Sequence, residues 1–422
     1  MKSHSKRVNY KKLVSPGTFL GDYLSYMEPL ETPYAYDFWT AIWLMSVALG
    51  RDVIVNRGGA PVYLNIFTIL VAESGVTRKS TAVRHAAKLA RQMVDDKLLV
   101  EAKITPELLE ERLHRQTLEH GYAQAAISIS ELVTFLGREK YVSTMPTLLT
   151  DLYDCPELRS GGGSISTGSR DLKNVFVSFL SASTPSWLVR AVNPDVIEGG
   201  FTSRVMFIVA EEPKRRQSWP EQQNETIGIR IFEHLNNINA QAKQVQRIEI
   251  SEGGRRTFDR WYRSRALHRD PFRSSFQSRE DAHILRLSAF LAINDHTWHI
   301  QHNHVLAAIK IITEVREDGA SIFEGTGSSS RLVYGIDKIR DKLLSAGING
   351  CPQRELTKAC SQYMDAGHMK AVLDIMHDLG MVQQFQGVQL GRGRPVTIWR
   401  GAPPLAAGGA IDRIVKQHAP GR

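Results

Sequence analysis

Residues 69–81 read Ile-Leu-Val-Ala-Glu-Ser-Gly-Val-Thr-Arg-Lys-Ser-Thr: an apolar run, a turn containing Gly75, a Lys79-Ser80 pair, and then a segment of helical character. Phosphate chemistry asks for that combination. Backbone N–H groups at a helix N-terminus can cradle phosphate oxygens, a lysine can reach the β- and γ-phosphates, and a hydroxyl can ligate Mg²⁺. Gly75, Lys79 and Ser80 can fill those roles, with Arg78 and Thr81 beside them in the loop. The pattern GxxxxGK[ST] is departed from twice, because Glu73 and Arg78 stand where its two glycines would be. From these residues alone the segment fits either a phosphate loop or an ordinary strand-to-helix connection.

Three further strand ends carry usable groups. The run Ala125-Ala126-Ile127-Ser128-Ile129 ends at Ser130-Glu131. Glu131 could orient an attacking water, while Ser130 occupies the place of a carboxylate that would help hold Mg²⁺, leaving the metal to Ser80 and water. The alternative for Glu131 is a charge at a helix N-terminus. The run Val177 to Pro185 puts Thr184 at its end, placed to sense a γ-phosphate or to cap the next helix. Gly199-Gly200-Phe201-Thr202-Ser203-Arg204 opens another run with an arginine that could reach a neighbouring subunit's nucleotide.

The elements that must position these groups alternate. Strand-like runs at 52–56, 61–72, 123–129, 175–182 and 203–210 are interleaved with helical stretches at 79–96, 104–118, 144–153 and 184–191, which predicts an α/β core with a parallel sheet covered on both faces. Two aromatic-rich helices over 16–50 precede it, as a lid or a packing layer. After a polar linker from about 211, helical segments at 226–241, 252–268, 278–294 and 302–324 form a second subdomain. Gly325 to Ser330 separates a last unit, and a Gly/Pro/Ala-rich tail follows 401.

Composition sets outer limits. With 422 residues, 42% hydrophobic and 23% charged, the chain suits a soluble globular protein of two or three domains. A net charge of +9 favours a polyanionic partner. Three scattered cysteines make neither a zinc pattern nor a disulfide framework, so a reduced, cytoplasmic setting is expected. The basic arm over the first twelve residues lacks the apolar core of a signal peptide, and no membrane association is expected.

In order and wording, the phosphate loop, the acidic strand end, the Ser-Phe-Leu-Ser-Ala-Ser-Thr-Pro strand and the Ser-Arg after a turn resemble the AAA+ core of MCM-like helicases. Arg279 and Arg286, seven apart, look like the arginine pair of that family's lid helix. The stretch from Phe19 through Lys79, with Tyr63-Leu64-Asn65 and Arg-Lys-Ser-Thr, looks more specifically like the phage and mobile-element replication ATPases often labelled primase-helicase. The resemblance covers roughly residues 16–325. It implies a P-loop AAA+ core over 51–212, a helical lid over 213–325, ATP and Mg²⁺ as cofactors, DNA as partner, and assembly into a hexameric ring, with Arg204 acting in trans. Arg159, Arg170 and Lys173 flank a glycine-rich stretch that would form a channel hairpin touching DNA; the alternative is a plain surface loop.

The last unit, 331–400, reads as helix, short helix, longer helix and two strands around Gly391-Arg392-Gly393-Arg394. This resembles a winged helix with Arg392 and Arg394 on the wing, where they could bind DNA phosphates or enter a minor groove. The reading is an ATP-dependent DNA motor for a phage or mobile element. Two others stand beside it: a nucleotide-switched initiator or helicase loader, and a partner-recruiting ATPase of a defence or transposition system. The chain has no primase-like carboxylate cluster, so any primase would be a separate protein.

Overall fold

The computed structural model describes residues 7–93, 98–136, 144–160, 170–191, 200–268, 270–323, 339–360, 366–378, 380–386 and 397–402, in two compact units, Met1–Ile322 and Phe323–Arg422. The first unit opens with helices α1 (Tyr10–Leu13), α2 (Phe19–Met27) and α3 (Tyr34–Leu49). Thr18 caps α2, its hydroxyl accepting from the Gly21 N–H, which satisfies one of the first-turn donors. Helix α3 is apolar on every side, so it has no face to give to water, and every residue from Tyr36 to Leu49 is buried. It is a packing layer rather than a lid. Its Ser46 hydroxyl pairs with that of Ser178 on the sheet.

The run expected as one strand over 61–72 is two. Strands β1 (Ile54–Val55) and β2 (Val62–Tyr63) pair antiparallel, while β3 (Phe67–Val71) belongs to another sheet. Between them Asn65 is buried and donates to the Tyr153 carbonyl, taking the chain from one sheet to the other. The chain continues through α4 (Lys79–Ala90), β4 (Leu98–Val100), α5 (Pro106–His120), β5 (Ala123–Ile129), α6 (Leu132–Leu136) and α7 (Thr144–Tyr153). A two-rung antiparallel ladder, β6 (Leu158–Arg159) with β7 (Leu172–Lys173), forms the base of the expected hairpin. Its connection over 161–169 lies outside the described residues. Then come β8 (Val175–Ser183), α8 (Pro185–Ala191) and β9 (Val205–Val209).

The core is α/β. Five strands run in the order β4-β5-β8-β3-β9, all parallel. Every residue of β3, β5 and β8 is buried, as a parallel sheet covered on both faces requires. Val71 lies opposite Ser183, and Ile129 opposite Ser181, so the three central strands end along one edge. Strand β4 was not expected from the sequence.

The region after 213 is not purely helical. Helix α9 (Glu225–Val245) is followed by β10 (Arg247–Ile250), α10 (Glu252–Ser264), α11 (Pro271–Gln277), α12 (Glu280–Asn294), β11 (His299–Ile300) and α13 (His302–Phe323). The two strands complete a second sheet of order β11-β10-β1-β2, which joins this region to the β1–β2 hairpin. The stretch read as a linker is strapped down as well. Lys214 Nζ lies 2.7 Å from Asp37 Oδ2 with both side chains buried, and Arg215 pairs with Glu28.

The second unit contains a helix over 339–346, then β12 (Cys351–Pro352), helices α14 (Gln353–Cys360) and α15 (Ala366–Asp378), and strands β13 (Val382–Gln386) and β14 (Thr397–Gly401). The strands form an antiparallel sheet of order β12-β14-β13. Leu343, Leu356, Leu373, Met376 and Trp399 are buried in its core. Arg392, Arg394, the Gly325–Ser330 separator, the start of the first expected helix and the tail lie outside the described residues. Among the described residues no helix is long and apolar enough to cross a membrane.

Candidate functional site

The edge where β3, β5 and β8 end opens into a cleft of about 440 Å³. Open α/β sheets bind ligands beyond the carboxyl ends of their strands, and this volume lies in the range of small-molecule sites. The lining unites most of the residues singled out from the sequence: Gly75, Arg78, Lys79, Ser80 and Thr81 from the loop, Ser130 and Glu131 from the end of β5, and Thr184 from the end of β8.

The departure at Arg78 resolves in the backbone. Arg78 has φ 52 and ψ 36, the left-handed conformation for which a glycine is the usual choice, and it precedes the first turn of α4. The loop therefore takes the turn that glycine would permit, with an L-residue at a cost of about 1–2 kcal/mol. The Arg78 side chain leaves the loop, its Nε 2.9 Å from Glu31 Oε2. Gly75 is also left-handed, at φ 79, and a Cβ there would meet no atom within 4 Å. Conformation, not space, calls for glycine at that position.

Lys79 Nζ donates to the carbonyls of Ala72 at 2.7 Å and Glu73 at 2.9 Å. Partial burial lowers its pKa, against the pull of Glu73 and Glu131. Ser80 Oγ is 3.5 Å from the Ser130 carbonyl oxygen, so the start of α4 touches the end of β5. Glu131 is the one carboxylate among the described lining residues. Thr184 has both roles open to it: its Oγ1 accepts from the Trp187 N–H as a helix cap, and the residue lines the cleft. Tyr36 braces the loop from below, donating to the Val71 carbonyl at 2.8 Å and accepting from Thr77 Oγ1 at 3.3 Å. Arg84 and Trp187 line the cleft without having been singled out. Arg84 stands four residues after Ser80 on α4, so helical spacing was its available signal.

The three remaining arginines are elsewhere. Arg204 precedes β9 and therefore lies at the amino edge of the parallel sheet; crossing that strand's five residues puts it roughly 15 Å from the carboxyl edge. Its Nη2 is 2.7 Å from Asp154 Oδ2, and Arg279 Nη1 is 2.7 Å from Asp154 Oδ1. Desolvation works to raise the Asp154 pKa, but the Arg204 hydrogen bond and the two positive charges outweigh it and hold the carboxyl below its ordinary range. Arg204 is buried, and its Nε has no hydrogen-bond partner among the described residues. Arg286 is buried too, donating to the Tyr63 carbonyl and the Tyr153 hydroxyl, both at 2.7 Å. None of the three is among the residues that line the cleft of its own chain, so Arg279 and Arg286, which look like a lid-helix pair, stand apart from it.

The hairpin residues are likewise committed in part. Arg159 pairs with Glu110 at 2.6 Å and Asp151 at 3.4 Å, so its charge is largely spent inside the chain. Arg170 donates to the Glu107 carbonyl, while Lys173 is exposed. No protein-family model matches the chain, and no curated protein matches it.

Proposed function

We propose that the cleft binds Mg²⁺-ATP and that the chain is an ATPase of the MCM-like AAA+ kind that works as a DNA motor. The observation that carries this is convergence: Lys79, Ser80, Glu131 and Thr184 come from three strand ends far apart in sequence and line one cleft. The residues fit the nucleotide. The amino end of α4 offers backbone N–H groups, Arg78 supplies the left-handed turn, and Lys79 supplies positive charge. Mg²⁺, when bound with the nucleotide, neutralises charge that develops between the β- and γ-phosphates. Among the described residues no group of three metal-ligating side chains is gathered, so Ser80 would be the protein's main contribution, with phosphate and water completing the shell.

Each chain residue then has a defined task. Lys79 exchanges its loop carbonyls for phosphate oxygens. Glu131 orients a water and takes its proton, and Thr184 holds the water or the γ-phosphate in line. Arg204 and Arg279 lie outside the lining of their own cleft and share one carboxylate, which supports a role for the pair at a neighbouring subunit's nucleotide in a ring. The three-stranded second unit is read as a winged helix that contacts DNA, with Arg392 and Arg394 on its wing.

A second reading has its own observation. Ser130 replaces a carboxylate, which favours a protein that binds nucleotide as an assembly switch, such as an initiator or helicase loader. ATP hydrolysis with and without single-stranded DNA, in the wild type and in Lys79→Ala and Glu131→Gln, separates the two. DNA-stimulated turnover abolished in both variants supports the motor. Tight ATP binding without turnover in the wild type overturns it in favour of the switch.

A further inference from the structure

Helix α10 presents an unusual surface. Its inner face is fixed by Gly254, where a Cβ would come within 2.9 Å of the Ile300 carbonyl oxygen, and by buried Thr257, whose hydroxyl bonds His302. Close seating on β11 leaves the opposite face in water. Residues 251–270 contain six arginines and no lysine, against three carboxylates. Arg255 and Arg260 are exposed and have no ion-pair partner among the described residues, whereas Arg256 and Arg263 pair with Glu252 and Asp259 one turn away.

Aromatic rings are interleaved with these charges. Phe258, Trp261 and Tyr262 are in mutual contact, with Tyr262 41% exposed. Guanidinium groups flank the cluster: Arg265 lies 3.8 Å from the Tyr262 ring centroid, and Arg57, anchored by Asp281, lies 5.7 Å from that of Phe258. A solubilising face needs neither rings nor a choice of arginine over lysine. Planar guanidinium groups suit phosphate and stacked bases, and exposed rings among cations form a stacking platform.

We propose that the flank of α10 that carries Arg255 and Tyr262, seven residues and two turns apart, binds a single strand of nucleic acid, with Arg255 on a phosphate and a base stacked against the Tyr262–Arg265 pair. Phosphate charge and base faces are common to DNA and RNA, so both are bound. The site does not depend on the nucleotide cleft.

Fluorescence anisotropy of labelled 20-nucleotide oligothymidylate and oligouridylate, titrated with the full chain without nucleotide, tests it. Arg255→Ala weakens binding of both at least about threefold and makes the slope of log K against log salt shallower by about 0.7, the loss of one phosphate contact, while Arg260→Ala, on the far flank, changes the slope less. Tyr262→Ala weakens binding about tenfold, while Tyr262→Phe keeps it. Lys79→Ala binds the strand like wild type, so failure of the ATPase reading and failure of this one are separable. Unchanged affinity and salt slope in Arg255→Ala, with its thermal midpoint unmoved, overturn the assignment. Tighter binding of a duplex of equal length also overturns it.

Discussion

The two edges of the parallel sheet are built on opposite principles. At the carboxyl edge the polar groups are gathered but loosely held: Lys79 rests on loop carbonyls, Ser80 barely reaches the Ser130 carbonyl, and Glu131 is exposed. At the amino edge the charges are closed on one another, with Arg204 and Arg279 gripping Asp154 and Arg286 held by Tyr153 and Tyr63. A site that must receive a charged ligand keeps its partners exchangeable. A site that must present a fixed geometry satisfies them in advance, because a buried unpaired charge is costly.

Four experiments press on that contrast. The largest effect belongs to the open edge: Glu131→Gln lowers the ATP turnover rate by about 10²–10⁴-fold, the usual worth of a general base, with ATP affinity nearly unchanged in equilibrium titration. An equal turnover rate in wild type and variant removes Glu131 from the chemistry. At the closed edge, acid is the probe. His283, buried beside the arginines, has its pKa pushed down to about 3, first by desolvation and then by Arg286. A lowered histidine pKa means that its contribution is complete above about 6.5 and is lost as pH falls toward 3, at up to about 1.4 kcal/mol per pH unit. His283→Gln should flatten that part of the denaturation-against-pH curve.

Asp154→Ala is smaller. It strips the counter-charge from Arg204, but the carboxylate is half exposed, so the loss is about 1–2 kcal/mol rather than the 3–5 of a fully buried pair. Urea midpoints read it, and Asp154→Glu tests whether charge alone suffices. Arg78→Gly is smallest. It relieves the left-handed strain and gives up one exposed ion pair, so stability changes by less than about 1 kcal/mol and turnover stays within about threefold. A large loss of turnover would show that the arginine itself contacts the nucleotide.

These edges were unequally legible in the sequence. The open one is written locally: an apolar run, a turn and Lys79-Ser80 are contiguous, and Glu131 and Thr184 each end an apolar strand. The closed one is written in separations. Asp154 lies 50 residues from Arg204 and 125 from Arg279, and nothing in its neighbourhood marks it as their shared partner. Half of the second sheet escaped for the same reason: the strands at 54 and 62 fall in runs legible as strands, but their partners at 247 and 299 are two to four residues long and lie among helical segments. Strand β4, three residues at an edge, is too short to stand out. Helix α3 was legible as an aromatic-rich helix but not as a lid or a packing layer; its burial is what distinguishes the two.

The Tyr36 hydroxyl joins the end of β3 to the loop that precedes α4 through Val71 and Thr77. Trimming the chain to a fragment starting at residue 51 would remove the brace beneath this loop along with Trp39 and Trp43. The shortest fragment worth expressing therefore starts ahead of Thr18, so that the cap of α2 and all of α3 stay with the loop they support.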